Sequence, residues 1–157
     1  MGKSPDPASA HCPLGRALCR DSSRDDLPYK VELSVSGKIE LNLAYQLEKN
    51  LPGGMVAISC AVLTNTGVRV PDVIWASKDL FARYEHANLL EQGPELCVEV
   101  CSPDGDEKVP AYSAAGAREV WLVSEEGAIR YFDASGERTG TNFPGMVKPP
   151  SRMDDLQ

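Results

Sequence analysis

The sequence predicts an α/β (α+β) fold in which a mixed sheet is flanked by helices. Short β-rich segments alternate with segments of helical periodicity along most of the chain. One segment, Glu95 to Pro103, has the pattern of a single buried strand, with Leu96, Val98 and Val100 on one face. The other face of that strand would carry Cys97, Glu99 and Cys101. Strands and helices in this mixture are typical of a sheet covered by helices.

Composition and charge limit the classes of protein to consider. The chain has 157 residues and a formal net charge of -7. A strongly basic chain would indicate nucleic-acid binding through phosphate neutralisation, so here any such contact needs a local patch or a bound cation. No apolar stretch approaches the roughly eighteen residues of a membrane span, and we expect no membrane contact and a cytoplasmic protein. Five cysteines without a CxxC pair argue against a disulfide framework and a tetrahedral zinc site.

The first third of the chain predicts an arm, a strand and a helix. Residues 1–28 carry four prolines and little periodicity, which predicts a poorly ordered N-terminal arm. Residues 29–35 alternate as a strand does. A helix is predicted from about Gly37 to Asn50, capped by Ser36 and ended by the Pro-Gly-Gly that follows. Because the alternation continues through residue 43, a hairpin remains an alternative for this segment.

Two strands and a polar connection follow. Residues 55–64 are apolar and β-rich, and residues 68–77 are strand-like but contain Pro71. Proline lacks the N–H that a central strand needs, so Pro71 predicts an edge, a bulge or a break that re-aims the neighbouring Asp72. The connection over 78–94 predicts one helical turn near 80–84.

The last part of the chain predicts a helix, two strands and a tail. After the buried strand and the acidic loop 103–106, a helix is predicted from about Val109 to Ala115, with Gly116 in the left-handed position that ends it. Strands follow over 118–123 and 128–134, then one turn. The chain from Pro144 onward is rich in proline, which predicts a folded domain over 29–143 and a loose tail over 144–157.

Two carboxylates stand out from this arrangement. Asp72 lies at the broken strand end, and Glu99 lies in the middle of the next long strand. Neighbouring strands are about 4.8 Å apart, so both acids can converge on one cation. Mg²⁺ prefers one or two carboxylates with waters and phosphates, and the carbonyl of Val100 could add a hard oxygen. The alternative for Glu99 is an ion pair with an Arg or Lys, because an unpaired buried charge is costly.

Four blocks of the sequence resemble the Uma-two family of restriction endonucleases, a branch of the PD-(D/E)XK nuclease superfamily. In chain order they are VRVPDVIWAS, PELCVEVCSP, EKVPAYSAAGAREVWLV and AIRYFDASGE. The resemblance covers about 37–145 and implies a restriction-endonuclease-like αβββαβ core. It also implies hydrolysis of phosphodiester bonds, in DNA, with Mg²⁺ or Mn²⁺ as cofactor. A homodimer is a candidate assembly apart from this resemblance.

By motif match, Asp72 and Glu99 correspond to the two acids of the family, with Val100 as a backbone ligand of the metal. The superfamily lysine would fall at Cys101, and the family pattern Lys-x-x-x-Tyr assigns its role to Lys108 instead. Lys108 alternatively neutralises the acids around it, Asp104, Asp106 and Glu107.

Three departures from the family pattern leave a second interpretation open. The loop before Lys108 is short, Pro110 is expected to start the helix and so leave Lys108 in the loop, and no histidine opens the first helix. The chain is therefore either a metal-dependent nuclease or an inactive member that binds or self-associates. A hydrolase of another phosphoester is a third alternative.

Overall fold

The computed structural model describes residues 34–143, and its first element is helix α1, Val35–Asn50. Ser34 is the N-cap, because its hydroxyl accepts a hydrogen bond from the Gly37 amide at 3.1 Å. The predicted cap at Ser36 and the predicted strand end at Ser34–Val35 are therefore wrong, as is the hairpin alternative. The rest of that predicted strand, residues 29–33, lies outside the described residues, as do the arm over 1–28 and the tail over 144–157.

Between this helix and residue 143, the structure has eight strands, six of which form one mixed sheet. The strands are β1 Gly54–Ile58, β2 Val62–Thr64, β3 Gly67–Arg69, β4 Val73–Ser77, β5 Leu96–Val100, β6 Glu119–Val123, β7 Ile129–Asp133 and β8 Gly136–Arg138. The large sheet has the order β1-β4-β5-β6-β7-β8. Only β5 and β6 are parallel, and β2 pairs with β3 in a separate hairpin.

The two long strands predicted before residue 78 are both divided. The segment 55–64 forms β1 and β2, because Ser59 takes a positive φ of 52° and turns the chain out of the large sheet. The segment 68–77 forms β3 and β4, and Pro71 lies in the gap between them as expected. The predicted single strand over 55–64 is therefore wrong, and the predicted break at Pro71 is confirmed.

The described part of the chain contains two further helices. Helix α2 spans Lys78–Arg83, and helix α3 spans Gly105–Ala115 with Pro110 inside it. Helix α3 begins four residues before the predicted start at Val109, so its first turn contains Lys108. It ends at Gly116, whose φ of 117° is the predicted left-handed cap.

The elements α1, β1, β4, β5, α3 and β6 form the predicted αβββαβ core in that order. This confirms a mixed α/β fold with helices on the sheet. Across residues 34–143, no helix has the length and apolar character that a membrane crossing requires.

The strand β5 separates two apolar layers. Leu96, Val98 and Val100 pack against Leu43 and Leu47 of α1, whereas Cys97 packs on the other side with Tyr112 of α3. This alternation is the one predicted from the sequence, and all five residues of β5 are buried. Glu99 points to the α3 side, which brings it to the first turns of that helix.

A buried carboxylate anchors the chain after β8 to the sheet. Glu119 is 3% exposed and accepts hydrogen bonds from Trp121 Nε1 at 2.8 Å, from Thr141 Oγ1 at 2.7 Å and from the Asn142 amide at 2.6 Å. Phe143 then packs edge-on against Trp75 and Trp121. Residues 141–143 therefore cover part of the same layer as α1.

Candidate active site

Asp72 is fixed at the broken end of β4 by the backbone of β5. Its amide donates to the Val98 carbonyl at 3.0 Å. Its carboxylate oxygen Oδ2 accepts from the Val100 amide at 2.7 Å. Pro71 ends the strand pairing, so the Asp72 side chain replaces a backbone acceptor at this point. The carboxylate is thereby held against the last residue of β5.

The Val100 carbonyl points towards the same place. The amide of Cys101 donates to the Val123 carbonyl at 2.8 Å, on the β6 side of β5. A trans peptide bond directs its C=O opposite to its N–H, so the Val100 carbonyl faces the β4 side. There Pro71 has no N–H to donate. The Val100 carbonyl is thus directed to the same side of β5 as the Val100 amide, which donates to Asp72.

Glu99 is held by two side chains of α3. It is 2% exposed. Its Oε1 accepts from the Tyr112 hydroxyl at 2.5 Å, and its Oε2 accepts from Lys108 Nζ at 2.9 Å. Lys108 and Tyr112 are four residues apart, so they lie on one face of the helix. Both carboxylate oxygens are therefore oriented by the helix that crosses from β5 to β6.

Lys108 has two further partners in the loop before the helix. Its Nζ donates to Ser102 Oγ at 3.0 Å and lies 3.2 Å from Asp104 Oδ1. Burial alone would lower the pKa of Lys108, but the hydrogen bonds with Glu99 and Asp104 outweigh it and raise that pKa above its usual value. Lys108 thus pairs with Glu99 and Asp104, whereas Asp106, which the alternative interpretation also assigned to it, pairs with Arg130. The expectation that Pro110 leaves Lys108 in a loop is wrong.

Electrostatic effects connect Asp72 with both neighbouring helices. Burial and then repulsion from Asp72 raise the pKa of Glu40 in α1. Burial and then the hydrogen bond with Glu99 raise the pKa of Tyr112, and Asp72 adds a smaller effect in the same direction. Asp72 directly precedes β4, and Glu99 lies in β5, the antiparallel neighbour of β4.

Cys101 does not follow the alternation of the strand. The strand ends at Val100, and Cys101 takes a positive φ of 53°. Its side chain packs against the apolar layer below α1. The expectation that Cys101 shares the face of Glu99 is therefore wrong, because the left-handed residue turns the chain.

The donor set at this end of the sheet fits a hard cation with few protein ligands. Asp72, Glu99 and the Val100 carbonyl offer only oxygen atoms. Among residues 34–143, no three His, Cys, Asp or Glu side chains are grouped closely enough to hold a metal ion together. Mg²⁺ is usually bound through one or two carboxylates and keeps several waters, and the residues present fit that pattern. They do not fit a tetrahedral site built from sulfur and nitrogen.

An open cleft of about 230 Å³ adjoins Glu99. Its walls include Cys101, Ser102, Ser124 and Arg130. Glu99 and Arg130 both face Leu122 of β6 in register, so they lie in one row across the α3 face of the sheet. The cleft therefore joins the carboxylate of β5 to a cation on β7.

Sequence reasoning named Asp72, Glu99, Val100 and Lys108 but missed several of their partners. Ser102, Arg130 and Glu40 are not among the residues that the sequence identifies. The signal that was present is the four-residue spacing of Lys108 and Tyr112, which places both side chains on one helix face. No local pattern marks the other three, because each is brought in by tertiary packing.

Comparisons with known proteins agree with this architecture. The chain matches the family model Uma2, described as "Putative restriction endonuclease", over residues 30–144. Its fold is similar to the crystal structure of a "putative nuclease belonging to DUF820" from Anabaena variabilis, with a TM-score of 0.57 and 16% identity. The match covers 66% of this chain and 65% of the Anabaena variabilis chain, so this chain spans just under two thirds of that protein. No curated protein matches the sequence. Because the family model covers most of the chain, including every residue of the candidate site, this protein belongs to the Uma2 (Uma-two) family.

Proposed function

We propose that this protein is a nuclease that hydrolyses phosphodiester bonds in DNA with the help of a divalent metal ion. The observation that supports the proposal is that Asp72 accepts a hydrogen bond from the Val100 amide, one residue after Glu99, and that Glu99 accepts one from Lys108. Family membership supports nuclease chemistry, and DNA is the substrate implied by the family. A homodimer and a cytoplasmic location stay predictions.

Asp72, Glu99 and the Val100 carbonyl would hold Mg²⁺ or Mn²⁺. A divalent ion bound there supplies charge that polarises the scissile phosphate and lowers the pKa of a bound water. The ion would also offset negative charge at the site, which would allow a protein of net charge -7 to bind a polyanion. In this proposal, the Val100 amide keeps Asp72 directed at the site.

Lys108 would hold the positive charge next to the reacting phosphate. Its ammonium group donates to Glu99 and Ser102, and a positioned donor of this kind stabilises negative charge that develops in the transition state. Tyr112 would keep Glu99 in place from the buried side. The cleft beside Glu99 is the space in which the substrate phosphate would lie.

The experiment is nicking of supercoiled plasmid DNA with Mg²⁺ or Mn²⁺, comparing wild type with Asp72→Ala. We expect metal-dependent nicking by wild type and at least a hundredfold loss in the variant, the order of effect seen when one essential electrostatic group is removed. The matched control is Asp79→Ala, since Asp79 is an exposed acid in the first turn of α2. Equal nicking by wild type and Asp72→Ala would exclude this site.

One observation favours a second function, that of an inactive member which binds without cleaving. The Lys108 ammonium has three N–H groups, and it already has three acceptors in Glu99, Ser102 and Asp104. A lysine satisfied in this way would stabilise the fold rather than a transition state. Metal-dependent binding of DNA without cleavage of DNA or RNA by purified wild type would favour this function.

A further inference from the structure

The first turn of α3 lacks two of the supports that helices usually have. Its N-cap residue, Asp104, makes no side-chain capping bond to the helix. Pro110 has no N–H, so the carbonyl four residues earlier receives no hydrogen bond from it, and proline also disfavours helical geometry in Val109. The turn nevertheless forms at Gly105. Besides the local bond from the Glu107 amide to the Asp104 carbonyl and the Lys108–Asp104 pair, contacts with the rest of the domain help to hold it.

Those contacts lie along one row of the sheet. Glu99, Leu122 and Arg130 are in register on β5, β6 and β7, which puts the outer two about 10 Å apart at the usual strand spacing. Gly105 lies directly over the middle residue, since a Cβ added there would be 3.0 Å from Leu122 Cδ2. The first turn of α3 therefore packs over the sheet between Glu99 and Arg130.

Two ion pairs connect the first turn of α3 to the two outer residues of the row, Glu99 and Arg130. Lys108 Nζ is 2.9 Å from Glu99 Oε2, and Arg130 Nη1 is 3.0 Å from Asp106 Oδ1. Arg130 is itself held in place, because its Nε and Nη2 donate to the two carboxylate oxygens of Glu137 at 3.0 and 2.9 Å. It also lies over the Phe132 ring. Arg130 is therefore a fixed point to which Asp106 attaches.

We infer that Arg130 is a positioning residue, which acts through Asp106 to hold the first turn of α3 and so the ammonium group of Lys108 against Glu99. The catalytic part of this inference rests on the proposed nuclease function. The Arg130–Asp106 pair is about half-exposed, and exposed ion pairs contribute little to overall stability. Small displacements of a catalytic group, by contrast, reduce rates strongly. Loss of the pair should consequently change local order and turnover without unfolding the protein.

Two variants and one matched control test the inference. Asp106→Asn and Arg130→Gln both remove the pair, whereas Glu137→Gln removes the other partner of the same arginine and leaves Asp106 in contact. Amide hydrogen exchange is measured over residues 105–109 and over 111–115. We expect about tenfold faster exchange in the first segment for Asp106→Asn and Arg130→Gln, with the second segment and the melting temperature unchanged. Glu137→Gln keeps one acceptor oxygen for Arg130 and leaves the Asp106 pair in place, so it should accelerate exchange over 105–109 less than either of the other two variants.

Plasmid cleavage supplies the second measurement. We expect kcat to fall about tenfold in Asp106→Asn and Arg130→Gln with KM unchanged. Unchanged exchange over 105–109 in Arg130→Gln would overturn the inference whether or not wild type cleaves DNA. Equal acceleration along the whole helix would also overturn it, because that result describes general destabilisation. If exchange responds as expected but wild type cleaves nothing, the positioning of the turn stands and the nuclease proposal fails.

Discussion

Tyr112→Phe tests whether the buried hydrogen bond to Glu99 orders this end of the sheet. The substitution keeps the ring and removes only the hydroxyl, which donates at 2.5 Å to a carboxylate that is 2% exposed. Tyr112 is itself fully buried, so water cannot replace the lost donor. Hydrogen bonds to charged groups contribute about 1.5–3 kcal/mol. Glu99 keeps its bond to Lys108, which is why we expect a loss of about 2 kcal/mol, near the middle of that range.

The measurement is urea unfolding at pH 7 followed by tryptophan fluorescence. With an m-value of about 2 kcal/mol/M, the midpoint should fall by about 1 M. Tyr45→Phe is the control, because Tyr45 is 63% exposed and its hydroxyl should matter little. In a double-mutant cycle with Glu99→Gln, the two substitutions should show clear coupling. If Tyr112→Phe unfolds at the same urea concentration as Tyr45→Phe, the hydroxyl does not order Glu99 and the reasoning fails.

Three further outcomes follow from the same geometry. Lys108→Ala should lower metal-dependent cleavage by about 10²–10³ and leave metal affinity, measured by calorimetry, nearly unchanged; an equal rate would remove Lys108 from the mechanism. Burial and repulsion from Asp72 raise the pKa of Glu40, so the folded protein binds that proton more tightly and loses stability as pH rises through the usual glutamate range. Glu40→Gln should therefore melt at a higher temperature than wild type at pH 7, with the difference vanishing below about pH 4, and a lower melting temperature at pH 7 would contradict this. Phe143→Ala should cost about 2 kcal/mol in urea unfolding, less than a fully buried phenylalanine would, because Phe143 is half-buried; a loss under about 0.5 kcal/mol would mean that its ring contributes little to packing.

The features of the fold that the sequence predicted have strong local causes. The alternation of β5 follows from burial on both faces, the break at Pro71 follows from a missing N–H, and the end of α3 follows from the left-handed position of Gly116. Each of these is decided within a few residues. Local reasoning is sufficient in such cases.

The features that the sequence did not predict depend on contacts between residues that are far apart in the chain. Pro110 and the residue before it disfavour a helix locally, yet α3 begins at Gly105 because its first turn is attached to β5 and β7. Ser59 and Cys101 take positive φ values, which no pattern in their neighbours indicates. In the candidate site, Asp72, Glu99 and Lys108 follow from the family motif. Their partners follow only from the assembled sheet.

The anchor at Glu119 determines where the folded domain can be shortened. A chain that ended after β8 at Arg138 would lose two of the three donors to a buried carboxylate, and it would expose the edges of two tryptophans. Unpaired buried charge and exposed aromatic surface favour aggregation over solubility. A purification tag or fusion partner should therefore be joined no earlier than Phe143, even though β8 ends five residues before it.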